Sequence, residues 1–182
     1  MNYSKLNKEL IIITGAGQGI GRQIAKNLDS RYDLLLISKT LNCKKTAKEI
    51  KATSFKNKNR IVEYQKINFE KKINLIPIAK KIKFKRFKKI HLILCAGMVD
   101  PDKGSYKNIN DWNKVFNVNL NSNIFLINYF SKFFNDKKKQ NKIIVFSGGG
   151  AASSFKKFPI YSASKTALVR AVENFSLIFT RS

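Results

Sequence analysis

Thr14-Gly15-Ala16-Gly17-Gln18-Gly19-Ile20-Gly21 is the stretch that decides the fold. Before it runs Glu9-Leu10-Ile11-Ile12-Ile13-Thr14, short, apolar and β-branched, which reads as a buried parallel strand. After it Ile20, Ile24, Ala25 and Leu28 stand at helical spacing. Strand, glycine turn and helix thus follow one another without a gap. Glycines let the backbone turn sharply and approach a pyrophosphate, and a helix N-terminus presents free N–H groups and a partial positive charge. A tight turn alone needs similar residues. The location, in the first βα unit of an alternating chain, is what favours dinucleotide binding.

Outward from this turn the pattern repeats. Residues 33–38, 61–67, 90–95 and 142–147 are further apolar runs of strand length. Between them lie a lysine-rich helix carrying Ala47 and Ile50, and a helix in the mid-70s to mid-80s limited by Pro77. A loop at Pro101 to Gly104 precedes a helix with Trp112, Val115 and Phe116, capped by Asn110 or Asp111. A further helix carries Leu120, Ile124, Ile127, Phe130 and Phe134, and a last one runs over residues 161–179. Strands apolar on both faces that alternate with helices predict an α/β fold. The expected form is a Rossmann-like, doubly wound parallel sheet in a three-layer α/β/α arrangement. No repeat or linker interrupts it, so residues 1–182 read as a single domain.

Composition narrows the class. The 182 residues are 43% hydrophobic and 26% charged, ordinary for a globular chain. No apolar run reaches the roughly 18–20 residues of a membrane span, and the N-terminus lacks the pattern of a secretory signal. Cys43 and Cys95 form neither a disulfide framework nor a zinc cluster, which points to a reducing, cytoplasmic setting and no metal. Net charge is +25, from 36 Lys+Arg against 11 Asp+Glu. Such a balance suits nucleic acid, but the lysines are spread along the chain with many Asn and Ile, as an A/T-rich genome would produce. A clustered stripe is the expected footprint of a nucleic-acid interface. The nearest to one, residues 80–89, reads as a solvated helix end running into a strand. The sole histidine, His91, lies within a strand and reads as a core or strand-edge residue.

The glycine turn and four later motifs resemble the short-chain dehydrogenase/reductase family. Thr14-Gly15, then Gly19-Ile20-Gly21, is similar to its cofactor signature, with Gly17 tolerated between. Asn68-Phe69 falls where the family carries an Asp-apolar pair beside the adenine. Cys95-Ala96-Gly97 matches the end of its Asn-Asn-Ala-Gly strand. Asn117-Val118-Asn119-Leu120 matches the motif of its active-site asparagine, and Tyr161-Ser162-Ala163-Ser164-Lys165 its Tyr-x-x-x-Lys. The resemblance implies cofactor contacts from Gly15, Gly17, Gly19, Ile20, Gly21, Asn68, Phe69, Ala96, Gly97, Tyr161 and Lys165. After the second strand an acidic residue would bond a ribose 2′-OH and repel a 2′-phosphate. Ser38-Lys39-Thr40 stands there instead, and Ser38 and Lys39 favour NADP(H) over NAD(H).

Tyr161 and Lys165 stand one helical turn apart on one face. A phenol is a poor acid–base group at neutral pH, and a nearby ammonium favours its phenolate. Tyr161 then protonates a carbonyl oxygen as hydride arrives, or deprotonates an alcohol in reverse. The resemblance implies that Lys165 also holds the nicotinamide ribose and that Asn119 supports a water linking Lys165 to solvent. The family's substrate-binding serine is absent: counting back from Tyr161, its position is Gly148. Either Ser147 substitutes through a shifted backbone, a loop serine (Ser153 or Ser154) or a backbone N–H does so, or the chemistry is weakened. Ser147 is the expected substitute, and losing one such donor costs about 2.7–4 kcal/mol of transition-state stabilisation.

By the same resemblance, two more strands and a substrate-covering loop would follow the tyrosine helix, where this chain stops at Ser182. A C-terminally truncated form is the expectation, and a minimal variant completed as a homo-oligomer the second reading. Three functions compete: an oxidoreductase on a small carbonyl or secondary alcohol, a catalytically silent dinucleotide-binding protein, and a basic nucleic-acid module. A nucleotide-sugar epimerase or dehydratase ranks below them.

Overall fold

The computed structural model describes residues 8–53, 59–76, 78, 82–99, 108–134 and 140–181. The strands are β1 (Glu9–Thr14), β2 (Asp33–Ser38), β3 (Val62–Lys66), β4 (Lys89–Leu94) and β5 (Ile143–Val145). They form one parallel sheet in the order β3-β2-β1-β4-β5. Strand order reverses beside β1, which makes the carboxyl ends of β1 and β4 the topological switch point of a doubly wound fold. Contacts gather into two compact units, one drawn from residues 1–68, 73–96 and 129–144 and the other from residues 69–72, 97–128 and 145–182.

In the first unit Leu10–Ile13, Leu34–Ile37 and Ile90–Leu94 are buried along their whole length, as strands covered on both faces require. Each apolar side chain among them contributes about 1.5–3 kcal/mol by leaving water. Helix α1 (Gly19–Asn27) turns Ala25 inward, and α2 (Asn42–Thr53) buries Cys43, Thr46, Ala47 and Ile50. Ile82, Phe84 and Phe87 fit no α-helical stripe, yet all three are buried. Phe84 and Phe87 are three residues apart across a 3₁₀ turn at Phe84–Arg86, which leaves Lys83, Lys85 and Arg86 exposed, and Ile82 precedes that turn. Pro77, Lys80, Lys81 and the loop expected at Pro101 to Gly104 lie outside the described residues.

The second unit is mostly helical. Helix α3 (Ile109–Phe116) is capped by Asn108, whose Oδ1 accepts the Asn110 N–H at 2.9 Å. That is earlier than the expected Asn110 or Asp111, and Asp111 pairs instead with Lys114 at 2.7 Å. The helix widens into a π turn at Asn117–Asn121 before α4 (Ser122–Ser131). Ser122 Oγ and Asn123 Nδ2 donate to the carbonyls of Val118 (2.8 Å) and Asn119 (2.7 Å), extra partners for backbone oxygens in the widened turn. After β5 a 3₁₀ turn (Gly149–Ala151) leads to α5 (Pro159–Arg181). Among the described residues no helix is long and apolar enough to cross a membrane, and no cluster of three metal-ligating side chains occurs.

His91 sits where β4 meets β1, 8% exposed. Its Nδ1 accepts the Lys142 N–H at 3.1 Å, so its Nε2 carries the proton and donates to Glu9 at 3.0 Å. Burial alone would raise the Glu9 pKa, but the His91 hydrogen bond and Lys89 at 3.4 Å outweigh it and hold the carboxyl below the ordinary glutamate range. A depressed folded-state pKa adds stability above the unfolded value and loses it as pH falls through the folded one. Glu9→Gln should therefore cost stability at pH 7, and the gap from wild type should narrow below about pH 4.3. A gap of equal size at pH 7 and pH 3 in urea unfolding would contradict this.

Gly15 makes the turn out of β1 with φ +67°, and a Cβ there would lie 3.0 Å from backbone atoms of Cys95 and Ala96. Gly15→Ala should destabilise the fold by about 1–3 kcal/mol, from left-handed strain and this contact. A loss below about 0.5 kcal/mol, the range of neutral surface changes, would show that the turn has room for a side chain.

Candidate active site

In the first unit the glycines are arranged by space. Gly21 must lack a side chain, since its Cβ would meet the Gly15 carbonyl oxygen at 2.7 Å. Gly17 lies against the end of β2, where a Cβ would touch Ser38 Oγ and Asn42 Cβ, both at 3.0 Å. Gly19, at φ +55°, faces open space. No side chain caps α1 at Gln18, so the positive end of that helix is left to whatever approaches the loop. Ile20 is 61% exposed on its first turn. Thr14 Oγ1 accepts the Ala96 N–H at 3.0 Å and ties the end of β4 to the end of β1, a role the sequence motif contains but does not announce.

Beside the loop is a cleft of about 290 Å³ lined by Gly17, Gln18, Gly19, Arg22, Asn42 and Lys45. Arg22 and Lys45 were not foreseen, although both fall within helical turns that open at the glycine loop and at the end of β2. Glu49 holds Arg22 through hydrogen bonds of 2.7 and 3.0 Å and pairs with Lys26 at 3.3 Å; these cations keep its carboxyl in the charged form against the effect of burial. Ser38 Oγ donates to the Thr40 carbonyl at 2.6 Å, while Lys39 is exposed. Asn68, half-buried, follows β3.

The second unit brings together Gly97, Asn119, Tyr161 and Lys165. Asn119 is fully buried in the π turn. Its Oδ1 accepts the Met98 N–H at 2.8 Å, and its Nδ2 donates to the Met98 carbonyl at 2.8 Å and to Ser164 Oγ at 2.9 Å. Ser164 Oγ in turn donates to the Tyr161 carbonyl at 2.7 Å. One amide thus joins the loop after β4 to the first turns of α5. Lys165 is 4% exposed, and its Nζ donates to the Phe146 carbonyl at 2.8 Å and stands 5.9 Å from the centre of the Tyr161 ring. A Cβ on Gly97 would lie 3.6 Å from Asn119 Oδ1 and 3.7 Å from Lys165 Nζ, which sets Gly97 beside both. Phe69 is buried, 5% exposed.

Tyr161 is half-buried on the first turn of α5, with Phe155 edge-on at 6.5 Å between ring centres. Its hydroxyl lies over Gly148, where a Cβ would come within 2.2 Å. Ser147, next in the chain, is exposed and makes no side-chain hydrogen bond among the described residues. A phenol over an open backbone, with a buried ammonium one helical turn along, is an arrangement suited to moving a proton at an exposed oxygen.

Solved structures share this architecture. An alcohol dehydrogenase from Comamonas testosteroni specific for bulky-bulky ketones superposes with a TM-score of 0.80 at 15% identity, over 96% of this chain and 69% of its own. A short-chain dehydrogenase/reductase from Burkholderia phymatum, in complex with NAD, gives 0.78 at 22%, over 94% and 60%. An alcohol dehydrogenase from the archaeon Thermococcus sibiricus, complexed with 5-hydroxy-NADP, gives 0.80 at 21%, over 96% and 72%. The chain thus spans 60–72% of the length of these three proteins. Comparison with curated protein sequences finds no match. The short chain dehydrogenase family model matches residues 9–178, and the chain belongs to that family of NAD(P)-dependent oxidoreductases.

Proposed function

We propose that this chain is an NADP(H)-dependent oxidoreductase that interconverts a small carbonyl compound and a secondary alcohol, with Tyr161 as general acid/base. The family match runs unbroken over residues 9–178, which supports reading residues 1–182 as one dinucleotide-binding domain. The observation that carries the catalytic part is the joined cluster of Tyr161, Lys165 and Asn119, with Lys165 buried and Asn119 bonded at both ends of its amide.

The residues present fit a dinucleotide. The side chain of Gln18 does not cap the α1 N-terminus, and Gly19 opens onto free space, a cradle that a Cβ would fill. In the first unit Gly15, Gly17, Gly19, Ile20 and Gly21 would hold the pyrophosphate. The family resemblance assigns Asn68 and Ala96 of that unit to the cofactor as well and, in the second unit taken by itself, Phe69, Gly97, Tyr161 and Lys165. The solved relatives include one bound to NAD and one to an NADP derivative, so the choice rests on this chain's own residues. Ser38-Lys39-Thr40 offers no carboxylate after β2, and Arg22 and Lys45 line the adjoining cleft. These cations favour a 2′-phosphate.

When bound, the dinucleotide supplies a hydride for the carbonyl carbon. Tyr161 gives its hydroxyl proton to the carbonyl oxygen, so that an alcohol forms and a phenolate remains. The Lys165 ammonium stabilises that phenolate. Asn119 keeps the loop at Met98 and the helix at Ser164 in register while charge moves. Ser147 is the candidate for the second hydrogen bond to the substrate oxygen in place of the family serine, which requires a shift of the extended backbone at Gly148. A silent dinucleotide-binding protein is the second reading, favoured by Gly148.

Following NADPH oxidation at 340 nm against a panel of ketones and aldehydes tests this reading. Turnover should occur in the wild type, and Tyr161→Phe should reduce it by at least about 100-fold, the scale of general acid catalysis. Absence of turnover in a folded wild-type chain would favour the silent reading. Asn119→Ala should destabilise the fold by about 2–4 kcal/mol, because the Met98 N–H and carbonyl lose a buried partner. A loss under about 1 kcal/mol in chemical denaturation would mean that Asn119 does not join these segments.

A further inference from the structure

We propose that Gly148 is a positioning residue for Tyr161: its missing side chain makes room for the phenol hydroxyl, so that a serine restored there displaces the catalytic tyrosine. This rests on the oxidoreductase reading above and deepens it. The backbone of Gly148 does not ask for glycine. Its φ of −160° and ψ of 167° are extended values that any residue adopts. What asks for glycine is space. A Cβ at 148 would lie 2.2 Å from the Tyr161 hydroxyl oxygen, 3.1 Å from Cζ and 3.5 Å from Cε1. The first distance is impossible for two unbonded heavy atoms, and every residue other than glycine brings that Cβ.

Neither partner can retreat as a whole. At Gly150 a Cβ would meet Ser162 Cα at 3.0 Å, so the loop already lies backbone-close to the first turn of α5. Ser162 Oγ also donates to the Gly150 carbonyl, and the Ala151 N–H donates to Gly148 O at 2.9 Å. On the other side, Ser164 Oγ holds the Tyr161 carbonyl and Phe155 borders its ring. Gly149, by contrast, faces open space, so crowding is confined to positions 148 and 150. A side chain at 148 is accommodated by rotating the phenol away from the loop. The tyrosine then no longer presents its proton where the substrate oxygen is received. The absent serine is therefore no simple defect to be repaired: in this chain glycine and the placement of the phenol go together.

Gly148→Ala and Gly148→Ser should each lower kcat by at least about tenfold, with the KM for NADPH unchanged within about twofold. A Gly148→Ser enzyme as fast as wild type, or faster, overturns the proposal. A second measurement holds even for a chain without turnover. Gly148→Ala should lower Tm measurably in the wild type and by clearly less in the Tyr161→Phe background, where the clashing oxygen is gone. A chain that unfolds with Gly148→Ala alone but folds as the double variant gives the same answer more strongly. Equal Tm losses in the two backgrounds would show that residue 148 does not act through the hydroxyl. Absence of turnover in the wild-type chain with the coupling intact would remove the oxidoreductase reading and leave the pairing of Gly148 with Tyr161 standing.

Discussion

The constraint on which the dinucleotide-binding part of the fold depends is the absence of a Cβ where backbone meets backbone. Gly21 approaches the Gly15 carbonyl, and Gly15 approaches the chain between Cys95 and Ala96, at distances that admit no side chain. These contacts bring the first turn of α1 down onto the strand ends at the switch point of the sheet. The long apolar strands supply the bulk of the stabilisation, but they do not determine this approach. A sheet of the same composition with a wider turn would bury as much surface and leave no cradle.

In the other unit a polar network takes the corresponding role. Asn119 is buried without charge and has a partner for its oxygen and for its amide nitrogen. A half-bonded buried amide would be a liability; a fully bonded one specifies a single arrangement of the segments that it joins. The π turn presents Asn119 at this junction, and Ser122 and Asn123 supply donors to its carbonyls. Lys165 is treated likewise, buried with the Phe146 carbonyl as acceptor. Tyr161 is thus flanked by groups whose positions are fixed by hydrogen bonds, and its own hydroxyl is bounded by a glycine.

Much of this was legible in the sequence, and the reasons for the rest are physical. β1 and β2 are long apolar runs with glycine or polar ends, and their bounds came out as read. β5 is shorter than its apolar run, because only Ile143–Val145 keeps the ladder. Ile82, Phe84 and Phe87 fit no stripe because Phe84 and Phe87 follow a 3₁₀ turn, whose period differs from that of the α-helix, while Ile82 lies before it. Asn108, Asn110 and Asp111 are chemically equivalent caps, and only the backbone at Asn108 decides among them. The π turn has no compositional signature. At the site, Tyr161, Lys165, Asn119 and the glycines could be named from their motifs, yet the occupant of the space over Gly148 could not. It depends on how closely the loop at Gly150 approaches α5, a distance that no spacing in the chain encodes. Arg22 and Lys45 escaped notice for the opposite reason, since in a chain of net charge +25 no single cation stands out.

The central claim is that the glycine loop and its neighbouring cations hold a nicotinamide dinucleotide bearing a 2′-phosphate. A fluorescence titration of the chain with NADPH, and with NADH in parallel, at physiological salt tests it most directly. The account predicts saturable binding of both nucleotides with at least about tenfold preference for NADPH, a difference of about 1.4 kcal/mol. No binding of either nucleotide by a chain whose circular dichroism shows it folded would contradict the account.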